Sequence, residues 1–206
     1  MSSNDTPMRE VARRAFATEF NDASHTFKES DDERAPAYQL LPTGEKANRV
    51  FFVGTLTEKE DIGDDNEYWR GRIVDPTGTF FVYAGQYQPE AASTLRELEP
   101  PAYVAVVGKP RTYETDDGNV NVSVRPESIT VVDAATRDRW VVETAERTID
   151  RVAAFDDEGN EYARMAADRY DLDPEQYLDA AVEALQSMEG AEAGTEDAES
   201  EAEPTP

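Results

Sequence analysis

Arginines alternate with aromatic rings in the stretch from Tyr68 to Tyr83. Arg70 and Arg72 precede Asp75-Pro76-Thr77-Gly78, and Phe81 and Tyr83 follow it; Lys109, Arg111, Tyr113 and Arg125 lie further on. The chemistry such residues support is recognition. Guanidinium groups pair with phosphates, and exposed rings stack on unpaired bases, so interleaving the two makes a platform for single-stranded nucleic acid. Period-two alternation places Trp69, Gly71 and Ile73 on one face and Tyr68, Arg70, Arg72 and Val74 on the other. Phe80 and Val82 likewise separate from Thr79, Phe81 and Tyr83. With Ile73, Phe80 and Val82 facing a core, Arg70, Arg72, Phe81 and Tyr83 share the outer surface. The alternative is an ordinary hairpin whose outer face is covered by another element.

Catalysis finds no support. The acid pairs Asp64/Asp65, Asp116/Asp117 and Asp156/Asp157 read as surface turns in a chain with acids throughout. There is no cysteine, which excludes disulfides and thiolate zinc sites, and His25 is the sole histidine. None of the acid pairs has EF-hand spacing, so neither a metal site nor a cofactor is expected. Thr43-Gly44-Glu45-Lys46 lacks the spacing of a phosphate-binding loop and precedes a strand where a helix is required.

Net charge is −25 over 206 residues. A polyanion repels phosphates, so this balance ordinarily argues against a nucleic-acid partner. Positive charge is carried almost wholly by arginine, with lysine only at Lys28, Lys46, Lys59 and Lys109. That is the pattern of proteins adapted to molar salt, where the screening length falls to about 3 Å and local arginine clusters matter more than the total. The other reading is an acidic protein of ordinary salt. No segment is apolar enough to span a bilayer and the first five residues do not form a signal peptide, so a cytoplasmic protein without a membrane partner is expected.

The elements that must position these residues follow from periodicity and turn chemistry. Met8, Val11, Ala12, Ala15, Phe16 and Phe20 recur at helical spacing after Pro7, predicting an N-terminal helix; 24–34 reads as a charged linker and 35–49 as compact loop. Strands are predicted at 50–57, 68–74, 79–84, 103–107 and 120–124, the last extended by 129–132, with Gly54 a bulge or bend. Helical spacing at Ala91, Ala92, Leu95 and Leu98 puts a helix at 86–98, stopped by Pro100-Pro101. Three strands, a helix and two strands define a five-stranded oligonucleotide/oligosaccharide-binding (OB) barrel, an α+β class with a mainly β core. A five-stranded sandwich or SH3-like barrel is the rival. Helices at 134–155, 161–170 and 173–188 follow the barrel. The chain thus divides into an N-terminal helix and linker (1–34), the barrel (35–133), a helical segment (134–188) and an acidic tail (189–206) expected to be disordered.

The run 103–113 (Tyr-Val-Ala-Val-Val-Gly-Lys-Pro-Arg-Thr-Tyr), followed by a turn, a Val-alternating strand and a long helix, resembles the OB domain of the middle subunit of replication protein A. The lead-in at 38–50 (Tyr-Gln-Leu-Leu-Pro-Thr-Gly-Glu-Lys-Ala-Asn-Arg-Val) is similar to replication protein A-associated proteins of halophilic archaea. The resemblance covers roughly 35–155. It implies a subunit of a single-stranded-DNA-binding complex acting in replication and repair, with Tyr113 in the place of a base-stacking ring. A second stacking ring belongs at the end of the third strand, where this chain has Ala84-Gly85, with Tyr83 and Tyr87 nearby. The helix after the barrel is, by the same resemblance, the element that joins subunits, so Trp140, Val141, Ala145, Ile149, Val152 and Phe155 become the surface for a larger replication protein A-like subunit. The same seam can instead be covered by the helices that follow it. An adaptor that touches little DNA is the second functional reading.

Overall fold

A computed structural model describes the backbone of residues 9–200 and the side-chain surroundings of 9–188. Residues 9–16 form no helix and carry a single β-bridge, at Arg13. The Arg13 N–H donates to Arg49 O at 2.8 Å and its carbonyl accepts from the Phe51 N–H at 2.8 Å, tying this arm to the start of the barrel. Only Ala17–Asp22 (α1) is helical, which corrects the longer helix read from the spacing; Met8 lies outside the described residues. The backbone of 13 is engaged by the barrel strand, and that pairing outweighs local helical preference. Phe16 and Phe20, four apart, are both buried beside α1.

Three short strands follow: β1 (Thr26–Lys28), β2 (Ala37–Leu41) and β3 (Glu45–Ala47), forming an antiparallel sheet in that order. The stretches read as linker and loop are therefore a small sheet, with Phe27 opposite Tyr38 and Leu40 opposite Lys46. The Tyr170 hydroxyl donates to Leu40 O at 2.7 Å and accepts from the His25 N–H at 3.0 Å; burial pushes this phenol up to about 12.

The barrel comprises β4 (Val50–Asp61), β5 (Trp69–Asp75), β6 (Gly78–Ala84), β7 (Ala102–Glu114) and β8 (Val120–Val131), with α2 (Pro89–Glu97) between β6 and β7. It closes in the order β4-β5-β6-β8-β7; the β6–β8 pairing is parallel and the others antiparallel. That order, with a helix between the third and fourth strands, is the OB barrel. β4 serves two neighbours: Val50–Leu56 pair with β7 and Thr55–Asp61 with β5. Gly54 lies where β4 passes from one neighbour to the other, and a Cβ there would sit 2.6 Å from Val74 O. The register slip itself falls at Leu56/Glu58.

The β5–β6 turn is anchored by one carboxylate. Asp75 Oδ1 accepts from the Thr77 N–H, the Thr77 hydroxyl and the Gly78 N–H at 2.7, 2.8 and 2.9 Å, and Oδ2 accepts from Ala17 N–H at 2.8 Å. Asp75 thus caps α1 from a distant turn. Burial pushes its carboxyl above the usual range, against the pull of those four donors. Asp75→Ala leaves the donors without their acceptor and should cost about 3 kcal/mol. Urea unfolding at fixed salt checks this; a loss under about 1 kcal/mol contradicts the anchoring role.

Beyond the barrel lie α3 (Ala134–Ala153), α4 (Glu161–Arg169) and α5 (Glu175–Ser200). Asp133 Oδ1 caps α3, accepting from the Thr136 N–H at 2.8 Å. Trp140, Val141 and Ala145 are buried: the indole N–H donates to Phe51 O at 3.2 Å and the ring meets Phe16 edge-on at 5.5 Å. α5 packs against α3 and contributes buried Tyr177, Ala181 and Ala184. This corrects the docking assignment. Trp140, Val141 and Ala145 belong to the protein's own core, Val152 and Phe155 are half-buried, and of the six only Ile149, 40% exposed, faces outward. One hydrophobic cluster joins Phe16 and Phe20, barrel residues such as Phe52 and Phe80 (stacked at 3.9 Å), Trp140 and Ala184, so the three segments share one core. α5 also continues past Met188 to Ser200 where a disordered tail was expected, in keeping with the high helix propensity of alanine and glutamate; 201–206 lie outside the described residues.

Candidate nucleic-acid interface

The β5–β6 register sets Arg70 directly opposite Tyr83 and Arg72 opposite Phe81, while Gly71, Ile73, Phe80, Val82 and Ala84 point inward and are buried. On the long β7–β8 hairpin, Arg111 faces Ser123, Tyr113 faces Asn121 and Lys109 faces Arg125. Because β6 neighbours β8, the outer faces of both hairpins form one continuous surface.

A hollow of about 380 Å³ opens on it, lined by Tyr68, Tyr83, Gln88, Arg111, Tyr113 and Arg125 among others. A second, about 420 Å³, shares Tyr83 and Tyr113 with the first and adds Arg70, Phe81 and Asn21. The structure therefore gathers Tyr83, Phe81, Tyr113, Arg111 and Arg125 along one groove; Arg70 borders the second hollow, but its guanidinium is paired with Glu60. Lys109 stands on the same face by alternation but lines neither hollow, and Arg72 lies beyond Phe81 in a separate hollow with Glu58 and Glu60.

Tyr113 is 49% exposed, and its hydroxyl accepts from the Asn121 amide at 3.3 Å. Tyr68 stacks on Tyr83 with ring centroids 6.0 Å apart and planes 25° from parallel. Burial, with Tyr113 close by, holds the Tyr83 phenol above its ordinary value, so it stays a neutral donor. Tyr68 is the residue the sequence reading left out of the site. The ring sought at the end of the third strand comes instead from the start of the second: Tyr68 lies over Gly85, where a Cβ would sit 2.7 Å from Tyr68 Cδ2. The glycine was the signal, since it permits that close approach. Asp61 fixes the ring's backbone, its Oδ1 accepting from the Tyr68 N–H at 2.9 Å and the Gly63 N–H at 3.1 Å.

The cations divide into two groups. Arg70 is ion-paired with Glu60 at 2.7 Å and Arg72 with Glu58 at 3.6 Å, so both guanidinium groups, expected from the sequence to meet phosphate, stand beside a carboxylate. Among the described residues Arg111, Arg125 and Lys109 have no ion-pair partner, and no carboxylate lines the hollow that holds Arg111 and Arg125. Among the described residues no cluster of three or more His, Asp or Glu is placed to hold a metal ion. No described helix is long and apolar enough to cross a membrane.

The closed five-stranded barrel with its inserted helix makes this an OB-fold protein of mixed α and β structure. No family model matches the chain, and no curated protein matches it. Similar solved structures include the second single-stranded DNA binding protein of Mycobacterium smegmatis, at 20% identity over 43% of this chain and 89% of that one, with a TM-score of 0.36. An OBody bound to hen egg-white lysozyme matches at 14% identity over 60% and 93%, with a TM-score of 0.39. The asparaginyl-tRNA synthetase of Pyrococcus horikoshii matches at 19% over 42% and 20%, with a TM-score of 0.34. The fold assignment rests on the strand order and closure.

Proposed function

We propose that this chain is a non-enzymatic subunit of a replication protein A-like complex, binding single-stranded DNA in replication and repair. The observation that carries the reading is the groove in which Arg111 and Arg125, without carboxylate partners, stand among the rings of Tyr68, Tyr83 and Tyr113 in a chain of net charge −25. In so acidic a molecule a carboxylate-free hollow with two cations is a local exception to the global field. Bases stack on the rings while phosphates meet the guanidinium groups. Molar salt, for which the lysine-poor composition is suited, shortens the reach of the remaining acids to about 3 Å.

A larger replication protein A-like partner belongs to the proposal through the sequence resemblance. An adaptor with little DNA contact is the second reading, and both readings need a docking surface other than the α3 seam, which α5 covers.

Fluorescence anisotropy with labelled oligo-dT in a KCl series tests the reading. Tyr113→Ala should weaken binding about tenfold to a hundredfold, the worth of one base–ring stack. Arg111→Ala should flatten the log–log salt dependence by about 0.7. If Tyr113→Ala binds as tightly as wild type while both melt alike, the groove is not the binding platform.

A further inference from the structure

We propose that Glu58 and Glu60 are built-in competitors of nucleic-acid phosphates, holding Arg72 and Arg70 out of contact and confining a bound strand to the Tyr68–Tyr83–Tyr113 side of the barrel face. This rests on the single-strand-binding reading above. Its basis is the bulge in β4. The β4–β5 ladder runs in one register through Thr55↔Val74 and Leu56↔Ile73, then slips by one residue to Glu58↔Arg72, Lys59↔Gly71 and Glu60↔Arg70. Had the first register continued, Thr57 would face Arg72 and Lys59 would face Arg70, a juxtaposition of like charges.

A one-residue slip moves every following side chain to the other face. Here it brings both acids onto the outer surface, each opposite one guanidinium, at 2.7 Å for Glu60–Arg70 and 3.6 Å for Glu58–Arg72. Lys59 is carried the other way, over the Trp69 ring at 5.7 Å, where its ammonium donates to Arg96 O at 2.8 Å. The acids are delivered by strand pairing as well as by side-chain rotation. The hollow they line contains Arg70, Arg72 and Lys59 against Glu58 and Glu60, whereas the hollow with Arg111 and Arg125 contains no acid; Arg70 also borders the acid-free second hollow, so its pairing with Glu60 is what withholds it from a strand there.

Exposed ion pairs are individually weak, so their strength does not exclude a phosphate. Their position does. A phosphate reaching Arg70 must displace a carboxylate held across the ladder and then lie within a few ångströms of it, a range at which a screening length of about 3 Å leaves repulsion in place.

The experiment titrates labelled oligo-dT across a KCl series with wild type, Glu58→Gln/Glu60→Gln, Arg70→Ala/Arg72→Ala and the four-site combination, after circular dichroism melts establish equal folding. Arg70→Ala/Arg72→Ala should bind within about twofold of wild type. The double glutamine variant should bind about tenfold tighter at the low-salt end and steepen the log–log slope by about 1.4, two phosphate contacts' worth. The four-site variant should return to the wild-type slope. Unchanged affinity and slope in the glutamine variant overturn the proposal, as does a tenfold loss from Arg70→Ala/Arg72→Ala in the wild-type background. If wild type binds and the glutamine variant does not differ, this inference alone fails. If neither binds oligo-dT, the single-strand reading fails and takes this one with it.

Discussion

Arg151→Ala lowers the stability of this protein by about 3–5 kcal/mol, the cost of stripping one partner from a buried ion pair. Arg151 lies on α3, yet its guanidinium reaches three other parts of the chain. Nη2 donates to Glu19 Oε2 at 2.6 Å, Nε to the Thr43 hydroxyl at 2.7 Å and Nη1 to Arg14 O at 3.2 Å. The Thr43 hydroxyl in turn donates to the other Glu19 oxygen. The Glu19 side chain is 1% exposed and that of Arg151 10%, so solvent cannot replace what the substitution removes. Urea unfolding in molar KCl reads the loss. Glu19→Met/Arg151→Met should regain most of it, because no unpaired charge then remains buried. A loss below about 1 kcal/mol for Arg151→Ala would show that water reaches Glu19 and that the network is ornamental to stability.

Val141→Glu should unfold the protein outright, at a cost of about 5 kcal/mol or more, since it places a charge among apolar side chains with no partner. Val141 is fully buried in the shared core, beside Trp140. Ile149→Glu, on the same helix but 40% exposed, should fall within about 0.5 kcal/mol of wild type. Thermal melts by circular dichroism separate the two. A Val141→Glu protein that melts with wild type but no longer co-purifies with a partner would restore α3 as a docking element and remove α5 from its seam.

The β5–β6 hairpin was readable from the chain because its two faces differ sharply in chemistry. Ile73, Phe80 and Val82 turned out buried and Tyr83, Phe81, Arg70 and Arg72 outward, as alternation required. The strand–helix order was equally legible, since periods of two and 3.6 separate cleanly. The lengths of β7 and β8 were not. The strands expected at 103–107 and 120–124 run on through Pro110 and Pro126, the latter opposite Gly108 at a register shift where a missing N–H is tolerated. β1 and β3 span three residues each, too few to display a period. The α3 seam announced itself as apolar, but amphipathicity says that a face is covered and not by what. The same limit hid the pairing of Arg70 and Arg72, because a bulge that changes which residues face each other leaves no mark in residue types.

The shared core has a consequence for how the molecule comes into being. Phe16 and Phe20 stand near one end of the sequence and Ala181 and Ala184 near the other, yet all four belong to one cluster with the barrel. A ribosome delivers the barrel strands well before α5, so during that interval the apolar sides of α3 and of the arm around Phe16 lack part of their cover. Closure depends on contacts between residues more than 150 positions apart, such as the Tyr177 hydroxyl donating to Asp22 at 2.8 Å across a separation of 155. Contacts so remote in sequence slow folding. A nascent chain stalled before α5 therefore exposes apolar surface that the finished molecule covers, and a barrel cut out alone should be less stable than the whole chain.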